Sequence, residues 1–279
     1  MRKVSFFSPI LILVVVLATT PQVAHGQVQS SPETGPSPES IKFSDQAGKL
    51  LPTMLKKFAG DFPGTREFSA FARESYPGKQ LPVETDADTT LLKWIQWEHE
   101  LFRSLERSIV QKKLAEGFTD VDEFLSYSLS VQNRRKSRMG HALENHVAEI
   151  FRRRDVDHGQ ACRTENRSKP DFIFPGCAAY HQQSFPVERL TALGVKSTCK
   201  DRWRQVLSEA SRVEVKHLLT LEAGISSQQT DEMKAHKLQL IVPAPLHDSY
   251  DAKQRNWLMT VEQFIDRVNQ KNSWLREPN

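Results

Sequence analysis

The sequence predicts an α/β fold, a mixed β-sheet flanked by helices and preceded by a helical subdomain. Three observations lead there. Apolar residues in the first half recur at helical spacing, the period changes to short apolar runs after residue 170, and further helical stretches separate those runs. The 279 residues are 38% hydrophobic, enough for a sizeable core.

The helical half comes first. Leu91, Ile95, Phe102, Leu105 and Ile109 place one helix over residues 89–114, and residues 118–129 read as a second. Trp94 and Trp97 on the first helix are read as core or interface aromatics in preference to base-stacking platforms. A third helix is expected over residues 137–153, with Leu143, Val147, Ile150 and Phe151 on one face and Glu144 beside that stripe. Strands follow in DFIF (171–174), LGVKS (193–197), KHLLTL (216–221) and LQLIVPA (238–244). Helices are expected near 200–210, 227–236 and 261–269, and Ser226-x-x-Gln229 and Thr260-x-x-Gln263 have the pattern of capping boxes for the last two. No internal repeat, GxGxxG or P-loop interrupts this order.

At the N-terminus, Arg2 and Lys3 precede an apolar run over residues 6–18, and Ala24-His25-Gly26 offers small residues where a signal peptidase would cut. Residues 1–26 therefore read as a signal-peptide-like leader, or as an extension from a wrongly chosen start codon. The run is shorter than the roughly 20 residues a membrane span needs, so no membrane partner is expected. Residues 27–52 open with a Ser-, Pro- and Glu-rich stretch and are expected to be a disordered linker. Residues 53–136 are assigned to the helical subdomain and 137–275 to the catalytic domain.

Net charge is only +4, but basic residues cluster in RRKSR (134–138), RRR (152–154) and KSTCKDRWR (196–204), which points to a phosphate-rich partner. The 3 cysteines, Cys162, Cys177 and Cys199, are odd in number and lack CxxC spacing, so ordinary thiols are expected and neither a disulfide framework nor a zinc site. His146, His217 and His247 likewise lack metal-ligand spacing and read as satisfied or surface histidines.

Phosphodiester hydrolysis needs carboxylates that hold a divalent cation at the scissile phosphate and a nearby cation that orients or deprotonates water. Asp171 follows Pro170 at the start of a strand, and Lys196 lies in the next, where alternation puts Gly194, Lys196 and Thr198 on one face. This is the layout of PD-(D/E)XK nucleases with one departure: the position two before the lysine, normally acidic, is Gly194. Glu209 on the following helix can supply the missing oxygen from another backbone position, and Glu144 can face the same cluster.

The segments SVQNRRKSRMGHALENH, KPDFIFPG, LGVKSTCKDRWRQVLSEA, KHLLTLEAG and LQLIVPAPLH closely resemble the catalytic domain of EcoRII-type restriction endonucleases, in the same order and from about residue 58 to 268. The resemblance implies a restriction-endonuclease-like core. It makes Asp171, Lys196 and Glu209 the catalytic aspartate, lysine and displaced glutamate, and Glu144 the helix glutamate. It makes Tyr180 in PGCAAY the catalytic tyrosine and Lys200 a second active-site lysine. Lys200, Asp201 and Arg202 become the stretch that reads CC and GG base pairs, in keeping with the donor and acceptor pattern of the major groove. Also implied are Mg²⁺, double-stranded DNA cut at a CC(W/N)GG-like site to leave 5′-phosphates, a homodimer, and a cognate methyltransferase as functional partner. The family's longer members carry an additional DNA-binding domain, for which the residues ahead of the resemblance leave no room. A restriction role places the protein in the cytoplasm, whereas the leader argues for export. The rival readings are a catalytically silent DNA-binding protein of this fold and an exported nuclease.

Overall fold

A computed structural model describes residues 38–199 and 202–273. Helix α1 (Pro38–Lys57) occupies much of the expected linker, because Phe43, Ala47 and Met54 give its otherwise polar sequence an apolar stripe. That stripe packs with α2 (Thr65–Glu74) and α3 (Ala87–Glu116) around Phe58, Phe68, Phe71, Trp97, Leu101 and Leu105, so residues 38–52, expected as part of a disordered linker, are helical; residues 27–37 of that linker lie outside the described residues. Trp94 and Trp97 are core residues. Asp86 caps α3 by accepting from Thr89 N at 2.9 Å, and Gly117, at φ 83°, ends it in the left-handed region.

The second and third expected helices are one continuous helix, α4 (Val121–Arg153), of 33 residues and roughly 50 Å. The RRKSR stretch that separates them in the sequence is polar but contains no helix breaker, and Arg138 is buried instead of turning the chain. The expected domain boundary at 136/137 falls inside this helix. Its C-terminal half buries Leu143, Val147, Ile150 and Phe151, which form one core with Leu91 and Trp94 of α3 and with the sheet, so the helical layer and the sheet share their interior.

The sheet has five strands in the order β1 (Gly159–Gln160), β2 (Phe172–Phe174), β3 (Thr191–Lys196), β4 (Lys216–Thr220) and β5 (Leu238–Ile241). The first two pairings are antiparallel and the last two parallel. Short helices connect it: α5 (Cys177–His181) after β2, α6 (Trp203–Leu207) between β3 and β4, and α7 (Ser227–Ala235) between β4 and β5. Helix α6 is shorter than the expected 200–210 because Glu209 and Ala210 already turn away, Ala210 at φ 47°. Phe172, Phe174, Leu193 and Val195 face α4, while Ile173 and Ala192 face a smaller core with Tyr180, Phe185, Leu190 and Val213. Strands covered on both faces explain why their sequences are apolar runs with no clear alternation.

The sheet ends against α8 (Ala252–Arg255) and α9 (Val261–Asn272). Thr260 and Gln263 make the expected capping box of α9, whereas at α7 Ser226 accepts from Gln229 N alone. Asp88, 4% exposed, accepts from Ala244, Val261 and Glu262 backbone N–H groups and so ties α3 to the start of α9. Among the described residues no helix is long and apolar enough to cross a membrane.

The cysteine expectation is overturned. Cys162, after β1, and Cys177, at the start of α5, form a disulfide with Cα atoms 5.5 Å apart; Cys199 is a buried free thiol. The β1–β2 pairing brings the two ends of this loop together, and Gly159 leaves room, since a Cβ there would lie 2.6 Å from the Cys177 sulfur. A pairing set by strand register leaves no mark in cysteine spacing.

Candidate active site

Asp171 stands immediately before β2. The register Phe172↔Leu193 sets it beside Gly194, Val195 and Lys196 at the end of β3. Its Oδ2 accepts from Val195 N at 2.6 Å and from Lys196 Nζ at 2.8 Å, and the two side chains are only 16% and 13% exposed. A backbone amide and a half-buried lysine amine thus fix one oxygen of this side chain in place.

Glu209 follows α6, its backbone N–H bonded to Val206 O at 3.2 Å. Burial pushes its carboxyl up to about 7, Asp171 adds to the rise, and Lys196 and Lys216 oppose it. Its Oε2 is buried and, among the described residues, has no hydrogen-bond partner. Glu144 on α4 is also raised, first by burial and then by Asp171, with His141 and Lys196 opposing; His141 Nδ1 lies 3.7 Å from its Oε2. Asp171, Lys196, Glu209 and Glu144 therefore share one electrostatic neighbourhood. A buried carboxylate oxygen left unpaired beside other carboxylates is costly unless a cation is its partner. The donors are hard oxygens, which suits a hard divalent ion. Among the described residues no three His, Cys, Asp or Glu side chains already form a closed metal cage.

Gly194 explains the displaced acid. A Cβ at this position would lie 2.7 Å from Val206 Cγ2, in the space α6 fills. A glutamate two residues before Lys196 would collide with α6, whereas Glu209 stands in the turn that follows that helix. Gly194→Ala is expected to lower stability by about 1–3 kcal/mol through overpacking. Urea unfolding of Gly194→Ala with and without Val206→Ala checks this, because only a true collision is relieved by the second change.

The other expected residues fall differently. Tyr180 is 2% exposed in the smaller core, where its hydroxyl donates to Glu165 Oε2 at 2.5 Å and burial raises it to about 12. Among the described residues no hydrogen bond joins it to Asp171, Lys196 or Glu209; its hydroxyl is committed to Glu165. Arg202 is exposed at the start of α6, its N–H donating to Cys199 O at 2.6 Å. Lys200 and Asp201 lie outside the described residues. Lys216, missed in the sequence, is a buried amine that donates to Val213 O at 3.0 Å and lies in the fields of both Glu209 and Glu165. A lysine at the head of an otherwise apolar strand is the signal that could have found it.

Two of the basic runs serve the fold. Arg135 pairs with Glu106 at 2.6 Å, and Arg134 stands over Phe62. Arg138 donates to Pro63 O and stands over Phe68 and Phe102. Arg152 and Arg153 pair with Glu149, and Arg154 with Glu262. His146, fully buried, lies 2.9 Å from Glu98, and the His247 ring lies 2.7 Å from Val242 O. His217 departs from the expected satisfied or surface histidine: it is buried against Phe264, and among the described residues neither ring nitrogen has a hydrogen bond.

A cavity of about 540 Å³ opens beside Asp171 and Glu144, with residues 64–67 of the helical layer on its opposite wall.

Residues 102–265 match the family model described as EcoRII C terminal. Over 210 residues the chain is 42% identical to the type II restriction enzyme EcoRII of Escherichia coli, a match covering 73% of this chain and 50% of that protein, so the chain spans about half the length of this relative. Two solved structures share the fold. One, metal-depleted Ecl18kI in complex with uncleaved, modified DNA, has TM-score 0.67 and 14% identity and covers 84% of this chain and 87% of that one. The other, metal-depleted Ecl18kI in complex with uncleaved DNA, has TM-score 0.66 and 13% identity, with coverage of 85% and 87%.

Proposed function

Since the chain belongs to the EcoRII C-terminal family of restriction endonucleases, we propose that it is a type II site-specific endonuclease that hydrolyses double-stranded DNA at a CC(W/N)GG-like sequence with Mg²⁺, leaving 5′-phosphates. The observation that carries this reading is the Asp171 carboxylate, held between Val195 N and Lys196 Nζ beside the unpartnered oxygen of Glu209.

Asp171 and Glu209, helped by Glu144, are the residues that would hold the ion. Bound there, it would offset charge developing on the phosphate and make its bound water more acidic. Asp171 keeps Lys196 Nζ at a fixed position from which it would orient the attacking water, or, once it has given up its own proton, take one from that water. Tyr180 enters as a support behind the sheet: it fixes Glu165, whose field reaches Lys216, and Lys216 in turn lies in the field of Glu209. Lys200, Asp201 and Arg202 are the residues proposed to read CC and GG pairs, with Arg202 exposed for contact. Breaking both strands of a near-palindrome calls for two such sites related by two-fold symmetry, hence a homodimer, and a methyltransferase that protects host DNA is its functional counterpart.

The test is incubation of the protein with unmethylated plasmid and Mg²⁺ beside Lys196→Ala, followed by sequencing of the ends. Discrete fragments ending at one CC…GG sequence, lost by at least about 10²-fold in the variant, are expected. DNA bound but uncut by the wild type would instead support the silent DNA-binding reading.

The restriction role places the enzyme in the cytoplasm. A second reading, an exported nuclease, is favoured by the Cys162–Cys177 disulfide, because disulfides persist in oxidising compartments. Cell fractionation decides between them.

A further inference from the structure

The cavity beside the carboxylates has two walls of different origin. One carries Glu144 and Asp171; the other is the first turn of α2, with Arg66 and Glu67. Lys169, two residues before Asp171, lines the same space. Both cations are exposed, and among the described residues neither has an ion-pair or hydrogen-bond partner. This sets them apart from the arginines of the 134–138 and 152–154 runs, most of which are spent on carboxylates or aromatic rings. A solvated surface cation would show the same lack of partners, but two of them facing one cavity with the catalytic carboxylates is a more specific arrangement.

The wall that carries Arg66 is fixed. Arg138, 6% exposed, donates to Pro63 O at 2.9 Å just ahead of α2 and stands over Phe68 of that helix at 4.7 Å. Asn145, on the same helix as Glu144, donates to Ser69 Oγ at 3.1 Å. The backbone of Arg66 is therefore locked to the helix that presents Glu144, while its guanidinium remains uncommitted. A cleft lined by three acidic side chains, Glu67, Glu144 and Asp171, repels a polyanion unless cations stand among them. Guanidinium and ammonium groups are the side chains that bind phosphate.

We propose that Arg66 and Lys169 form a phosphate-binding subsite for the DNA backbone, gripping a phosphate next to the catalytic carboxylates. The helical layer then takes part directly in holding the cleaved strand. This rests on the nuclease reading of the Asp171 site, and its test separates the two.

Binding of a duplex bearing one CC(A/T)GG sequence is measured by fluorescence anisotropy without divalent metal over a series of KCl concentrations. The proteins compared are Lys196→Ala and the same chain with Arg66→Ala, Lys169→Ala or both. Each removed cation is expected to weaken binding about tenfold and to reduce the slope of log K against log[salt] by about 0.9, while Arg66→Lys retains the slope. Duplexes with a single neutral methylphosphonate locate the contact. Neutralising one phosphate near the cut is expected to weaken binding of the parent and to have no further effect on Arg66→Ala. Unchanged affinity and slope in a parent that binds DNA would overturn the subsite alone. A parent that binds no duplex, with a wild type that cuts none, would overturn the nuclease reading and the subsite with it.

Discussion

Glu209→Gln is expected to reduce DNA cleavage by about 10²–10³-fold and, in metal-free protein at pH 8, to raise the unfolding temperature. The two effects have opposite signs because one property causes both. Burial and the Asp171 charge lift the Glu209 carboxyl to about 7 against an ordinary value of 4.5. A carboxyl raised in the folded state favours folding fully below its unfolded value, and that contribution is lost as pH rises through the folded value. Metal-free wild type should therefore lose stability between about pH 4.5 and 7, and the glutamine variant should lose less. Cleavage runs the other way, because only the ionised carboxylate is a ligand for a divalent ion, so wild-type activity should climb through neutral pH. Differential scanning calorimetry at several pH values, with and without Mg²⁺, checks the stability effect. A stabilising effect of Mg²⁺ on the wild type that is absent in Glu209→Gln would tie it to the same oxygen. A variant less stable than wild type at every pH would mean that Glu209 serves the fold.

How far this site could be read from sequence depended on which forces make it. Asp171 and Lys196 were legible because each sits at the end of an apolar run, and adjacent strands with a known alternation converge there. Glu209 could be proposed only as a substitute for a missing acid, through the resemblance that named it. The reason Gly194 carries no acid is the isopropyl group of Val206, a contact between elements that no local pattern announces. The helical half shows the same division. Helix α3 was legible from its stripe, but α1 begins among Ser, Pro and Glu residues whose composition imitates disorder, and its place is decided by Phe43, Ala47 and Met54 meeting a core made elsewhere. The basic runs were legible as charge but not as structure, for a related reason. Charge density along the chain says nothing about which carboxylates and rings the fold will bring to each arginine.

The Cys162–Cys177 disulfide joins residues 15 apart in sequence, and the loop it closes contains Glu165, Lys169 and Asp171. Constraining a loop of about this size in the unfolded chain contributes roughly 3 kcal/mol to stability. Cys162→Ser with Cys177→Ser, or reduction of the wild type, should lower the unfolding free energy by about that amount. The effect on cleavage should be smaller, because Asp171 keeps its bonds to Val195 and Lys196 and β2 remains paired to β3. Catalysis would suffer chiefly through looser placement of Lys169 and Glu165. Chemical denaturation of oxidised, reduced and doubly substituted protein separates the contributions. Equal stability of all three would show that the two sulfurs are unbonded thiols in the working protein. A large loss in the reduced and serine forms, with cleavage retained under oxidising conditions, would mark an enzyme whose fold depends on an oxidising step. Such a dependence fits the exported reading, since a cytoplasm that keeps thiols reduced would hold the protein in its less stable form.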